Sequence, residues 1–140
     1  MLKGILRAAS VVACTAFVSS AANANDWVQM PLDNTQSWSM RMIESEMVRF
    51  PEAWQIDWDE KPQWDYVHGL NLLAITEVYQ DTKDPRLLSY VKGYYDMLVQ
   101  QDGSIKTYDI NKFNIDMVNP GKVLFFLYEE TGNPKYKKAA

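Results

Sequence analysis

The chain has very few histidines and cysteines, the residues that most often bind zinc or form disulfides. Its 140 residues include one histidine, His68, and one cysteine, Cys14. Because His68 has no cysteine or histidine partner at ligand spacing, an ordinary zinc site is excluded, and a lone histidine is more often a structural group. The sequence also lacks a G-x-S-x-G elbow and a glycine-rich phosphate loop, which argues against serine-hydrolase and nucleotide chemistry.

Positive charge and long apolar runs are scarce as well. The formal net charge is −4, whereas a nucleic-acid partner would require clustered Lys and Arg to displace counterions. No apolar run reaches the roughly 20 residues of a membrane-spanning helix. We therefore predict no nucleic-acid partner and no transmembrane segment.

Residues 1–24 have the pattern of a signal peptide. Lys3 and Arg7 precede a short apolar stretch, and Ala22-Asn23-Ala24 supplies small residues at a cleavage site. This predicts export to the periplasm or the extracellular space, with a mature domain over residues 25–140. The second-ranked interpretation is lipid attachment at Cys14, which also places the protein outside the cytoplasm.

One phrase, Tyr-x-x-Thr-x-(Asp/Asn)-Pro, occurs twice, ending at Pro85 and again at Pro134, 49 residues later. Each copy ends an apolar helical run and begins another. A period of that length corresponds to two helices and two loops, so it predicts stacked helical hairpins. The sequence stops soon after the second copy, and we expect these residues to be the front portion of a larger ring or solenoid.

Apolar periodicity predicts an all-α chain. Gly93 is expected to permit close approach of a neighbouring segment. The buried face of the second helix is expected to contain Leu70, Leu73, Ala74 and Val78. The predicted helices cover 38–50 and 65–80 and begin at Asp84-Pro85, Asn119-Pro120 and Asn133-Pro134, with an ordered loop over 52–63 and an irregular link over 105–115.

Two features suggest chemistry. All five tryptophans precede residue 65, and as a group beside acids they suit stacking on sugar rings, although core packing explains any one of them better. Asp116 is flanked by Ile115 and Met117 just before a helix start. A carboxyl group partly shielded from water there could act as a general acid, whereas the simpler interpretation is a helix cap.

Three stretches resemble a known family. Residues 64–70 read W-D-Y-V-H-G-L, residues 114–122 read N-I-D-M-V-N-P-G-K, and residues 128–136 read Y-E-E-T-G-N-P-K-Y. From about Trp38 onward the chain resembles the unsaturated glucuronyl and rhamnogalacturonyl hydrolases of glycoside hydrolase families 88 and 105. The stretch 114–122 is the most specific of the three.

The resemblance implies an (α/α)6 toroid, of which this chain holds the first two hairpins and the start of a third. It also implies a hydrolase that adds water across the C4=C5 double bond of a 4,5-unsaturated uronic acid. That residue terminates oligosaccharides released by pectin, rhamnogalacturonan or glycosaminoglycan lyases. No metal or organic cofactor is implied, and the next sugar and the oligomeric state stay open.

The resemblance also assigns residues. Asp116 matches the first of two active-site aspartates and is the candidate catalytic residue. Trp64, Tyr66 and His68 match positions where contacts with the substrate are expected, and Asn119 is expected to orient Asp116. The second aspartate, the proton donor, would follow Ala140, so we expect these 140 residues to be inactive by themselves.

Two alternatives stay open. One is another α/α-toroid enzyme, such as a sugar epimerase. The other is a helical-repeat scaffold or carbohydrate-binding protein in which Asp116 is only a cap. Because the link with Asp116 has no counterpart one period earlier, the sequence favours an enzyme with unequal loops over a uniform repeat scaffold.

Overall fold

The computed structural model describes residues 36–140, so the predicted signal peptide and Cys14 lie outside the described residues. The described part is all-α, as predicted, with one isolated antiparallel bridge between Val99 and Ile105. The α-helices are α1 (Trp38–Arg49), α2 (Tyr66–Thr82), α3 (Pro85–Leu98), α4 (Lys122–Thr131) and α5 (Pro134–Ala139), and short 3₁₀-helices cover Ala53–Trp58, Ile110–Lys112 and Ile115–Gly121. None of the helices within residues 36–140 combines the length and apolarity that crossing a membrane requires.

The repeated phrase forms the corner of each hairpin. In the first copy, Lys83 adopts a left-handed conformation and its N–H donates to the Tyr79 carbonyl oxygen at 2.8 Å. In the second copy, Gly132 does the same toward Tyr128, also at 2.8 Å. The next residue, Asp84 or Asn133, then caps the following helix, which has proline at its first turn. The phrase is thus a helix end and a helix start in seven residues, and the predicted hairpins are confirmed.

Each corner also carries a cation that reaches back to an earlier helix. Arg86 Nη2 lies 2.9 Å from Glu44 Oε1 on α1, and Lys135 Nζ lies 2.7 Å from Asp96 Oδ1 on α3. The Arg86 pair is largely exposed, whereas Lys135 is buried, so its pairing matters more to the fold. Burial raises the pKa of Asp96, but hydrogen bonds from Lys135, Lys92 and Tyr136 outweigh burial and hold that pKa below its ordinary value.

The hydrophobic core lies between α2, α3 and α4, and it confirms one predicted face and corrects another. The sequence predicts a wide apolar stripe on α3, and this stripe is buried apart from Leu88, which is partly exposed. Its members are Leu87, Leu88, Val91, Tyr94, Tyr95 and Leu98. On α2, however, Leu70 is 59% exposed, and the buried set is His68, Gly69, Leu72, Ile75, Thr76 and Tyr79. The prediction failed because α2 has apolar residues on both sides, so periodicity does not select one face. The buried face also includes Thr76, whose hydroxyl donates to the Leu73 carbonyl at 2.7 Å and so can be buried.

The loops differ in detail from expectation. Residues 52–63, predicted as a loop, contain the 3₁₀-helix Ala53–Trp58. The helix predicted to begin at Asn119 begins as an α-helix at Lys122, after the 3₁₀-helix Ile115–Gly121.

Close approach occurs at Gly69, not at Gly93. A Cβ on Gly93 would meet no atom within 4 Å, so the prediction for Gly93 was wrong. A Cβ on Gly69 would lie 2.6 Å from the Pro120 nitrogen and 2.7 Å from its Cα. Only glycine lets the 3₁₀-helix Ile115–Gly121 rest directly on α2.

Gly69→Ala is therefore expected to lower the free energy of unfolding by about 1–3 kcal/mol, because backbone atoms of Pro120 must shift to admit the methyl group. Gly93→Ala is the matched control on a neighbouring helix, where the better helix propensity of alanine should raise stability by up to about 1 kcal/mol. Urea unfolding of both variants measures the difference. Equal shifts in the two variants would contradict the close contact.

Candidate active site

The segment that carries Asp116 begins at a local cap. The Asn114 side-chain oxygen accepts from the Asp116 N–H at 3.0 Å, and the Met117 N–H donates to the Asn114 carbonyl at 3.2 Å. An asparagine side chain that accepts the backbone N–H two residues further on forms an Asx turn. This cap sets the direction of the 3₁₀-helix Ile115–Gly121, and the sequence analysis did not assign Asn114 that role.

Three side chains fasten this 3₁₀-helix to the rest of the molecule. The Trp64 indole N–H donates to the Met117 carbonyl at 2.7 Å, and the Asn119 amide donates to the Tyr66 carbonyl at 3.2 Å. The Tyr95 hydroxyl donates to the Pro120 carbonyl at 2.8 Å. The two stretches 64–70 and 114–122, which lie about 50 residues apart in sequence, are therefore structural partners.

Trp64 is held in place by aromatic packing. Its side chain is 2% exposed, parallel to the Tyr94 ring and edge-on to the Tyr95 ring at centroid distances of 6.4 and 5.6 Å. Burial raises the pKa of both tyrosines, so their hydroxyls stay protonated as donors. The Trp64 backbone N–H donates to the Thr107 hydroxyl at 2.7 Å, which ties the link before Asp116 to the same residue. The apolar stripe of α3 predicted the burial of Tyr95 but not its bond to the Pro120 carbonyl, and nothing in the sequence pointed to Thr107.

His68 is a structural group in this part of the chain. It is 1% exposed, and its ring is stacked on Tyr94 with 4.9 Å between centroids. Its Nε2 lies 3.1 Å from the Trp54 carbonyl oxygen. Since a carbonyl only accepts, Nε2 carries the proton. Asp59 Oδ2 lies 3.6 Å from the same nitrogen. His68 and Trp64 thus have buried structural contacts where the resemblance implied contacts with sugar.

Asp116 and Tyr66 face solvent. Tyr66 is 46% exposed, and Asp116 is also exposed. The expectation that Ile115 and Met117 shield the Asp116 carboxylate was wrong for Ile115, which is itself exposed. Asn119 is half-buried, and its amide binds the Tyr66 carbonyl, so the amide holds the segment on α2 and the cap at Asn114 orients Asp116.

The site therefore consists of an exposed carboxylate on a short helix that a buried framework holds against the start of α2. Within residues 36–140, no group of three or more His, Cys, Asp or Glu side chains is arranged to bind a metal ion. Asp116 and Asn119 lie on the same 3₁₀-helix, and hydrogen bonds from Asn119 and Trp64 connect that helix to the start of α2, where Tyr66 lies.

The comparison with family models decides the relationship. The model for Glycosyl Hydrolase Family 88 matches residues 38–140. The chain belongs to glycosyl hydrolase family 88. It is also similar to a solved structure of a glycoside hydrolase from family 105 of C. acetobutylicum ATCC 824, with 35% sequence identity and a TM-score of 0.65. That similarity covers 74% of this chain and 27% of the other, so the chain spans about a quarter of the length of its structural neighbour.

Membership in the family confirms the resemblance drawn from residues 64–70, 114–122 and 128–136. The helical hairpins found here agree with the all-α toroid that the resemblance implied.

Proposed function

We propose that this chain forms part of a glycoside hydrolase that hydrates the 4,5-unsaturated uronic acid at the non-reducing end of lyase-generated oligosaccharides. Family membership supports the hydrolase class. The observation that carries the proposal is the exposed Asp116, on a segment that the contacts of Trp64 and Asn119 hold against the start of α2. A complete toroid is the proposed active unit, and residues 1–140 by themselves are expected to be inactive.

The proposed reaction begins with proton transfer to C4 of the double bond. The double bond is a vinyl ether, so the positive charge that develops is shared by C5 and the ring oxygen. Water then adds at C5 and gives up a proton to the carboxylate that supplied the first one. The C5–O5 bond of the resulting hemiketal opens, and the hemiacetal left at C1 releases the neighbouring sugar. Acid and base catalysis by one carboxyl group is consistent with this order.

We propose that the Asp116 carboxylate stabilises the positive charge that develops on C5 and O5. A carboxylate at a fixed position stabilises a developing cation without having to reorganise during the reaction. The cap at Asn114 and the bond from Trp64 to the Met117 carbonyl provide that fixed position. The proton donor is a second acid outside residues 1–140, as the resemblance implies.

Tyr66 is the proposed substrate-binding ring. It is the exposed aromatic at the first position of α2, and its carbonyl is tied to Asn119 of the Asp116 segment. Aromatic faces stack on the C–H face of a pyranose, while neighbouring polar groups bind its hydroxyls. Trp64 and His68 act behind this surface by fixing the backbone.

Asp116→Asn is expected to lower kcat on an unsaturated disaccharide by about 10²–10³-fold in the full-length protein, because the neutral amide does not stabilise the cation. Loss of the ultraviolet absorbance of the conjugated double bond reports turnover. Asp81→Asn is the matched control, since Asp81 is an exposed carboxylate at the opposite end of α2. Unchanged turnover in Asp116→Asn would remove Asp116 from the proposed mechanism, and binding without turnover by the unaltered protein would favour the scaffold alternative.

Export is proposed from the pattern of residues 1–24. The mature protein is expected outside the cytoplasm and to begin at Asn25. The intact mass of protein recovered from the periplasm or medium measures this. Recovery only from the cytoplasm with residues 1–24 retained would contradict export, whereas a lipid-modified Cys14 at the N-terminus would support the second-ranked interpretation.

A further inference from the structure

The link before Asp116 carries large apolar side chains that face solvent. They belong to Ile110, Phe113, Ile115 and Val118. Together with Tyr108, Asp109 and Asn114 they line an open hollow of about 290 Å³, which we call the link hollow. The lining residues Asn114, Ile115 and Val118 belong to the same short segment as Asp116, so the link hollow lies next to the backbone that carries the proposed catalytic group.

Phe113 occupies a backbone conformation that does not suit it. Its φ is +47°, in the left-handed region where glycine and asparagine are favoured and a bulky residue is strained. Its N–H donates to the Ile110 carbonyl at 3.3 Å, as the closing bond of a short helical turn. The ring is 91% exposed, so burial within residues 36–140 does not offset the strain. Glycine would serve the turn better, and a strained, exposed aromatic ring points to function.

The link hollow combines the group types that bind a pyranose. Tyr108 and Phe113 supply aromatic surface for the C–H face. Asp109 Oδ1 is occupied by the Asn111 backbone and side chain, at 3.0 and 3.1 Å, which leaves the other carboxylate oxygen for a hydroxyl group. Asn114 uses its side-chain oxygen on Asp116, so its NH₂ group is a second candidate for a hydroxyl. A volume near the lower end of ligand pockets fits one monosaccharide better than a peptide or lipid chain.

The proposed reaction defines the position of this sugar in the substrate. An unsaturated uronate is the non-reducing end, so a neighbouring sugar exists on one side only. We propose that the link hollow is the subsite for the sugar that follows the unsaturated uronate, with Phe113 as its stacking platform. This inference rests on the proposed function and adds a residue that determines specificity.

The test compares two substrates in the full-length protein. One is an unsaturated disaccharide, and the other is the methyl glycoside of the same unsaturated uronate, which lacks the second sugar. Phe113→Gly is expected to lower kcat/KM on the disaccharide about tenfold, mainly through KM, because a stacking contact is lost. On the methyl glycoside it should leave kcat/KM unchanged. The melting temperature should not fall, since glycine relieves the left-handed strain.

Two further variants complete the design. Phe113→Tyr keeps the ring and should keep disaccharide activity. Trp58→Gly is the matched control. Trp58 is also an exposed aromatic residue with positive φ, at +57°, but it lies outside the link hollow. The control should therefore leave unchanged the ratio of kcat/KM values for the two substrates.

The outcomes separate the two proposals. Turnover of neither substrate by the unaltered protein would contradict the proposed function. Turnover of both, with the same substrate ratio in Phe113→Gly, would overturn the subsite. A lower melting temperature with equal loss on both substrates would also overturn it, because Phe113 would then be packing against another part of the protein.

Discussion

The placement of Asp116 depends on one hydrogen bond, from the buried Trp64 indole to the Met117 carbonyl. The backbone bonds of a 3₁₀-helix such as Ile115–Gly121 have poorer geometry than those of an α-helix, and carbonyls that approach the core need donors. Trp64 supplies one and Tyr95 supplies another to Pro120. With these donors an irregular segment can lie on the core, and Asp116 on its outer side acquires a defined position.

The structure explains why two stretches about 50 residues apart belong together. In residues 64–70, Trp64 donates a hydrogen bond and Gly69 has no side chain to block a neighbour. In residues 114–122, the Met117 carbonyl accepts that hydrogen bond and Pro120 packs against Gly69. Each stretch would be incomplete without the other. The aromatic group of Trp64, Tyr94 and Tyr95, together with His68, is the rigid base beneath this contact. Exposed functional groups on a rigid base suit catalysis, which requires fixed positions.

Sequence patterns predicted what is encoded locally. Caps such as Asp84 and Asn133 act within three residues, so the hairpin corners were found at their true positions. The α3 face was found because one stripe is apolar and the other side is not. The α2 face was not predicted correctly, because apolar residues surround that helix. Its buried side also includes Thr76 and His68, whose polar atoms find partners only after folding.

Contacts between residues distant in sequence were not predicted. Whether a glycine marks a close contact depends on such a neighbour: Gly69 has Pro120 against it, whereas Gly93 has no atom within 4 Å of where a Cβ would lie. Asp116 was found as a candidate through its motif, while its cap and the support from Thr107 and Tyr95 depend on tertiary contacts.

Hydrogen exchange of the indole N–H protons tests the central contact most directly. If Trp64 donates from a buried position to Met117, its indole proton should exchange on the timescale of the best-protected backbone amides. The exposed indoles of Trp38 and Trp58 should exchange rapidly in the same spectrum. Exchange of the Trp64 proton as fast as that of Trp58 would show that the bond does not persist, and the account of how Asp116 is held in position would be wrong.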